Sequence, residues 1–355
     1  MERTIKPEQL STQMKRKSLK PVMEEKKDYD GDFGTIISTG STLLDLAISG
    51  GRVRGGGLPG GILVEAFGPS GSGKTVLLSE IAGAVQRQGG EIMFADPEAR
   101  LNKQFASMFG LDLSDEAYSR PDTVTDLFKS INEWAPKSFK KKLINGIFAD
   151  SLAALSTKME MENKEGDKMG MRRAKEFSEE LRKSARTLVK NNYLMVCSNQ
   201  VRVNMDAGPY GQKYITPGGE AIGFYSSLRL RFTKPEKIKD KVKVVGKEVT
   251  RVIGVEVLID VFKSSIWKPY RTAPVCILFD YGIDDIRANL QYIKDYTKNN
   301  KYYVGETELD ISLEKSIKMV ERDALEDELK EQVIDLWEVI ESKFEKERKP
   351  KRCPR

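Results

Sequence analysis

The sequence predicts an α/β protein: a mostly parallel sheet covered by helices, with a small helical region towards the C-terminal end. Three observations predict it. Ile62–Phe67 is a short apolar run, Gly68–Thr75 is rich in glycine, and Val76–Val85 places Leu77, Leu78, Ile81 and Ala82 at helical spacing. That is a strand, a tight loop and a helix in succession. Further on, the apolar runs Ile92–Asp96, Ile144–Ala149 and Tyr193–Cys197 alternate with the helical patterns Asn102–Phe109, Thr125–Trp134 and Ala174–Lys190. Alternation of this kind buries parallel strands between two helical layers. Beyond Gly282 the composition turns charged, and Leu313, Ile317, Val320, Leu325, Leu329, Val333, Leu336, Ile340 and Phe344 recur at about one helical turn.

In chain order, residues 1–34 are polar, charged and interrupted by Pro7 and Pro21, which predicts a short helix around Glu8–Arg16 followed by a linker. Ile36–Ser41 opens the folded core, and Ser41 is the expected cap of a helix over Leu43–Ile48. Gly50–Gly61 reads as a loop because of its many glycines. After the alternating segment, Tyr225–Phe232, Val252–Phe262 and Ala273–Phe279 follow one another as strands with turns between them, so the sheet is expected to continue in antiparallel fashion. The resulting division is 1–34, 35–284 and 285–355, the last ending in the basic tail Lys346–Arg355.

Composition narrows the chemistry. The 355 residues contain no histidine, which excludes His-based acid–base catalysis, triads and His metal sites and leaves a carboxylate as the expected general base. Cys197, Cys276 and Cys353 are widely separated and odd in number, the pattern of a reducing compartment. No apolar run is long enough to cross a membrane and no signal-peptide pattern opens the chain, so a cytoplasmic location is expected. A net charge of +6 is compatible with a polyanionic partner without requiring one.

Gly68-Pro69-Ser70-Gly71-Ser72-Gly73-Lys74-Thr75 satisfies G-x-x-x-x-G-K-[ST] at every fixed position. Backbone N–H groups of such a loop, with the N-terminus of the following helix, surround phosphate oxygens. Lys74 is placed to reach the β- and γ-phosphates, and the Thr75 hydroxyl to ligate Mg²⁺. Ligands of such folds sit at the carboxyl ends of the parallel strands. Asp150 closes one such strand and would hold Mg²⁺ through water; Asp96 and Glu98 follow another, and either could orient and deprotonate an attacking water, with Glu98 preferred. Asn199-Gln200 closes a third, where an amide can sense a terminal phosphate or serve only as a strand cap. Two loops carry glycine and cations: Met161–Arg173, with Lys168, Arg172 and Arg173, and Val201–Ala221, with Arg202, Lys213, Gly218 and Gly219. Such loops suit a nucleic-acid backbone and unstacked bases, and equally suit plain solvation.

An ordered set of motifs then carries a resemblance. Ile37-Ser38-Thr39-Gly40-Ser41, Gly57-Leu58-Pro59-Gly60-Gly61, the phosphate loop, Asp96–Leu101, Ser119–Thr123, Ala149–Leu155, Asn199–Arg202 and Gly218-Gly219 together resemble the RecA family of bacterial and phage DNA recombinases over roughly Ile36–Asp284. The resemblance implies a RecA-like P-loop ATPase core with an N-terminal polymerisation arm and a small helical C-terminal domain. It implies an ATP- and Mg²⁺-dependent helical filament on single-stranded DNA that pairs it with homologous duplex DNA, aided by single-strand-binding and loader proteins. By position it makes Glu98 the hydrolytic base and Gln200 the switch, and sets Asn102 and Phe105 beside the adenine. It makes the two loops DNA-binding, with Met169 as the wedge between base steps, and puts Phe224 at the subunit interface. Lys263 would act in the neighbouring subunit's ATP site.

This sequence departs from the family at several points. A second trans-acting lysine aligns with Ser265, and Lys268 is the candidate replacement; an arginine after the first loop aligns with Ala174; the tail is basic where an acidic one is common. Two other readings remain: a filament-forming regulator that does not exchange strands, and a helicase-type motor of the same superfamily. The absence of a helicase-type N-terminal domain speaks against the motor.

Overall fold

The computed structural model describes residues 34–101, 103–137, 143–161, 169–203, 214–215, 220–297 and 299–345. The expected helix at 8–16, the tail from 346, and Asn102, Lys168, Lys213, Gly218 and Gly219 lie outside the described residues; Met169 and Arg202 are described in backbone only.

In chain order the elements are β1 (Ile36–Ile37), α1 (Thr42–Ser49), β2 (Leu58–Pro59), β3 (Ile62–Gly68), α2 (Lys74–Arg87), β4 (Ile92–Ala95), α3 (Lys103–Met108), β5 (Tyr118–Ser119), α4 (Val124–Glu133) and β6 (Asn145–Ala149). Then come α5 (Lys158–Met161), α6 (Met169–Asn191), β7 (Tyr193–Gln200), β8 (Arg202–Val203), β9 (Tyr214–Ile215), α7 (Glu220–Tyr225), β10 (Leu228–Phe232), β11 (Glu236–Val244), β12 (Lys247–Ser264), β13 (Thr272–Leu278) and β14 (Gly282–Ile283). The chain continues with α8 (Asp285–Asp295), β15 (Tyr303–Val304), β16 (Thr307–Glu308), α9 (Leu313–Arg322) and α10 (Glu326–Ser342).

The central sheet runs β14-β13-β12-β10-β3-β7-β6-β4-β5, with β11 paired to β12 off that path. The strands from β10 to β5 are parallel, and β11 to β14 are antiparallel additions. Strand alternation divides the apolar residues between two faces. Val64, Ala66, Phe94, Phe148, Leu194 and Val196 pack with α1, α2 and the C-terminal helices; Leu63, Met93, Ile147, Met195 and Cys197 pack with α4 and α6. Burial on both faces is why these strands read as apolar runs, interrupted by Glu65 in β3 and Asn145 in β6. The C-terminal helices share the first of these clusters, through Ile317, Val320, Leu329, Val333 and Leu336. Arg54 reaches from the glycine-rich loop to Glu331, Asp335 and Glu338 on one face of α10 (2.7, 2.8 and 2.9 Å).

Local signals set the helix starts. Ser41 accepts a hydrogen bond from the Leu44 amide and Thr123 from that of Asp126, capping α1 and α4. Four expectations need correction. The glycine-rich loop contains β2, paired with β1, because Leu58 is apolar and fully buried. The segment from Tyr225 enters the sheet only at Leu228, since α7 occupies the residues before it. β11 is a strand that the sequence reading did not announce: lysines alternate with Ile238, Val242 and Val244, all but Ile238 are exposed, and it pairs along its length with β12. α6 begins at Met169, so Met169, Arg172 and Arg173 belong to a helix and not to a loop.

Candidate nucleotide-binding site

The parallel topology sets the ends of β3, β7, β6 and β4 side by side, in that order. The groups expected from the sequence therefore converge on one edge: Gly68–Thr75 after β3, Asn199-Gln200 at the end of β7, Asp150 after β6, and Asp96 with Glu98 after β4. Gly73, at the turn into α2, has φ +88, and a Cβ there would lie 2.2 Å from Cδ1 of Ile277. Only glycine lets the loop close against β13 and present its amides. Nζ of Lys74 donates to the carbonyls of Gly68 and Pro69 (3.2 and 2.7 Å), so the loop folds around its own cation. Burial depresses the Lys74 ammonium, against the attraction of Asp150 and Glu98.

The Thr75 hydroxyl donates to Oδ2 of Asp150 (2.5 Å), and Ser198 Oγ donates to Oδ1. Burial raises the Asp150 carboxyl, and those two hydrogen bonds oppose the shift. A hydroxyl and a carboxylate in contact are the hard oxygen donors that Mg²⁺ takes, the rest of its shell being water and phosphate. Among the described residues no three acidic, Cys or His side chains gather into an all-protein metal cage, and this donor set does not need one. The residues fit a phosphate chain with Mg²⁺.

The two carboxylates after β4 differ. Asp96 is buried, and its Oδ2 accepts from the Leu101 amide and the Tyr118 hydroxyl, both at 2.8 Å. Glu98 accepts from Ser151 Oγ (2.7 Å), beside Asp150, and pairs with the exposed Arg100 (2.6 Å). Asp96 organises its own turn, whereas Glu98 stands at the Asp150 end of the site.

At β7 the Gln200 amide donates to Oδ1 of its neighbour Asn199 (3.0 Å). Phe105 packs edge-on against Phe109, 4.9 Å between centroids. Phe224 is 76% exposed at the end of α7. Lys263 donates to the carbonyls of Gly223 and Phe224 (2.8 and 2.9 Å), capping α7 within its own subunit. Ser265 Oγ donates to the Ser227 carbonyl (3.1 Å), and the Lys268 ammonium lies over the Trp267 ring (5.3 Å). Arg172 is exposed, while Arg173 turns to Glu160 (3.3 Å).

Three contributors escaped the sequence reading. Ser198 and Ser151 hold Asp150 and Glu98, but serines near a strand end carry no distinctive signal. Glu65 did carry one: it is a lone carboxylate inside the otherwise apolar run of β3.

Fold and site define a P-loop protein, its phosphate loop, acidic strand ends and the Asn199-Gln200 pair arrayed on one sheet edge. A family model described as the RecA N-terminal domain matches residues 8–284. The chain belongs to the RecA family. It is 32% identical over 248 residues to Protein RecA of Delftia acidovorans, covering 70% of this chain and 63% of that protein. It is 34% identical over 261 residues to Protein RecA of Anaplasma marginale, covering 73% and 67%. The matched region thus spans about two thirds of the length of these relatives. Membership implies nucleotide binding with a divalent metal, in a family whose proteins bind DNA and form homo-oligomeric filaments. Among the described residues no helix is long and apolar enough to cross a membrane.

Proposed function

We propose that the chain is an ATP-dependent DNA recombinase, assembling as a helical filament on single-stranded DNA and pairing it with homologous duplex DNA while hydrolysing ATP to ADP and phosphate. The observation that carries this reading is the row of strand ends that brings Lys74, the Thr75–Asp150 pair, Glu98 and Gln200 to one edge in a RecA-family chain. The phosphate loop Gly68–Thr75 binds the phosphates, and Lys74 exchanges its own loop carbonyls for them. Thr75 would hold Mg²⁺ directly and Asp150 would hold it through water; the bound ion would supply charge neutralisation at the transferred phosphoryl group. Glu98 orients the attacking water and takes its proton; Gln200 senses the terminal phosphate and passes its presence to the loop that follows. Asn102 and Phe105 flank the adenine.

Residues 1–34 form the polymerisation arm, 35–284 the ATPase core and 285–355 the C-terminal domain. Lys168, Met169, Arg172 and Arg173 serve one DNA contact, and Arg202, Lys213, Gly218 and Gly219 the other. For Met169, Arg172 and Arg173 the contact is made from the first turns of α6, and Arg173 must leave Glu160 to join it. Lys263 acts on the ATP of the neighbouring subunit. The protein works in the cytoplasm, with single-strand-binding and loader proteins as partners.

The test is a strand-exchange assay run beside single-strand binding and DNA-stimulated ATP hydrolysis. Exchange that depends on ATP and on homology is the expected result. Single-strand binding and hydrolysis without exchange would instead make the protein a nucleotide-gated filament regulator.

A further inference from the structure

Four polar side chains cross the middle of the sheet in a single row. Arg229 on β10 is directly paired with Glu65 on β3 and, on its other side, with Lys263 on β12. Asn199 on β7 is the partner of Phe67, two residues along β3 and therefore on the same face as Glu65. The side chains close the row. Asn199 Nδ2 donates to Glu65 Oε1 (3.0 Å), and Arg229 Nε donates to Glu65 Oε2 (2.6 Å). Glu65 itself is 0% exposed.

The surroundings are built for the row. The register of β12 slips between Arg229 and Leu230, leaving Phe262 as an extra residue. Its ring and that of Phe67 lie under the Arg229 guanidinium at 5.5 and 4.5 Å. Gly223 of α7 lies close to the guanidinium, where a Cβ would come within 2.9 Å of it. At one end of the row Oδ1 of Asn199 accepts from the backbone N–H of Gln200 (3.0 Å). At the other, Lys263 caps α7 at Gly223 and Phe224.

Replacing a buried ion pair by apolar side chains is often neutral or stabilising, so its presence in a central strand calls for a role beyond stability. We propose that Glu65 is a positioning residue whose carboxylate, by bridging Asn199 and Arg229, ties the Gln200 end of β7 to the Lys263 cap on α7. This rests on the reading of Gln200 as switch and Lys263 as trans-acting group given above. The element with two states is the cap. Lys263 either holds the α7 carbonyls of its own subunit or leaves them for the neighbour. A shift of Asn199 alters one oxygen of Glu65, and the other oxygen fixes where Arg229 stands beside Lys263. Charge repulsion between Arg229 and Lys263 makes the cap sensitive to that position.

The experiment is amine acetylation of the full chain, read by peptide mass spectrometry at Lys263 with the exposed Lys315 as internal reference. It compares protein alone with protein plus ATPγS and single-stranded DNA, for wild type, Glu65→Gln and Asn199→Ser. Folding is checked by circular dichroism and nucleotide binding by a fluorescent ATP analogue. In wild type, ATPγS with DNA is expected to change Lys263 acetylation severalfold; in both variants the dependence is lost while the analogue still binds. A merely structural ion pair would lower the melting temperature of Glu65→Gln and leave the nucleotide dependence of Lys263 as in wild type, which overturns the proposal. Should Glu65→Gln fail to fold, Asn199→Ser, which keeps the ion pair and cuts the row at its switch end, decides alone. A wild-type Lys263 indifferent to nucleotide also overturns it. Loss of DNA-stimulated hydrolysis in wild type would mark failure of the underlying function; wild-type hydrolysis with nucleotide-responsive variants would mark failure of the row alone.

Discussion

Glu98 and Asp96 lie two residues apart and have different work. Asp96 spends its Oδ2 on the Leu101 amide and the Tyr118 hydroxyl, whereas Glu98 is held beside Asp150 by Ser151. Glu98→Gln is therefore expected to slow hydrolysis by about 10²–10⁴-fold, the usual contribution of a positioned base, with nucleotide and DNA binding retained. Single-turnover hydrolysis beside equilibrium binding measures both, and near-normal turnover would shift the base to Asp96. A different carboxylate, Asp45, controls a pH dependence. It accepts from Ser38 Oγ and from the amide and hydroxyl of Thr39, yet burial pushes its carboxyl up from 3.8 to about 6. Between those values the folded chain holds a proton that the unfolded chain has released. The stability this proton contributes is present in full below pH 3.8 and is lost as the pH rises through about 6. Carbon-13 carboxyl titration should find Asp45 half-protonated near pH 6; a midpoint near pH 4 would refute the shift.

At the scale of elements, β11 and α10 illustrate charge used for two ends. Alternation puts Lys237, Lys239, Lys241 and Lys243 on successive same-face positions of β11, and the outer edge of β11 has no partner strand among the described residues. Open edges invite pairing with other chains, and lysines oppose it. Replacing Lys239, Lys241 and Lys243 together by Thr should leave the hairpin folded but produce concentration-dependent association, visible in light scattering; a variant that stays monodisperse to the same concentration as wild type would remove that role. On α10, Glu331, Asp335 and Glu338 share Arg54. Removing Arg54 leaves three carboxylates facing one another across successive turns. Arg54→Ala should cost about 1 kcal/mol and lower the melting temperature by roughly 2–4 °C. Adding Glu331→Gln and Glu338→Gln should restore part of the loss; a melting temperature that falls further would show that Arg54 acts through packing.

For the whole molecule, the proposed trans role of Lys263 makes the site complete only between subunits. Lys263→Ala and Glu98→Gln should each lack DNA-stimulated hydrolysis, one for want of the trans-acting ammonium and the other for want of the base. In a head-to-tail filament of an equal mixture, roughly a quarter of interfaces would pair an intact Glu98 with an intact Lys263, because the contact is heterologous. Recovery of about that fraction of hydrolysis is expected. A mixture as inactive as its components, with co-assembly demonstrated by a labelled subunit, would place Lys263 outside the neighbouring site. The local capping of α7 by Lys263 adds a condition: the lysine must leave Gly223 and Phe224 before it can cross.

The sequence by itself determined the parallel core, because strands buried on both faces are predominantly apolar, and β3, β4, β6 and β7 are, apart from Glu65, Asn145 and the polar end of β7. It also determined the phosphate loop and the strand-end candidates Asp150, Glu98 and Gln200, since these depend on spacing along the chain and on which end of a strand they follow. What only the tertiary structure decided are matters of neighbours. β11 alternates lysines with Ile238, Val242 and Val244, but only Ile238 is even partly buried, and it is a strand because β12 lies beside it. The start of α6 at Met169 moved three expected loop residues onto a helix. The different hydrogen-bond partners of Asp96 and Glu98 include Tyr118 and Ser151, residues distant in sequence whose placement follows from sheet order. The row Asn199–Glu65–Arg229–Lys263 joins four strands drawn from across the chain, and pairing register, a property of no single segment, is what brings it together.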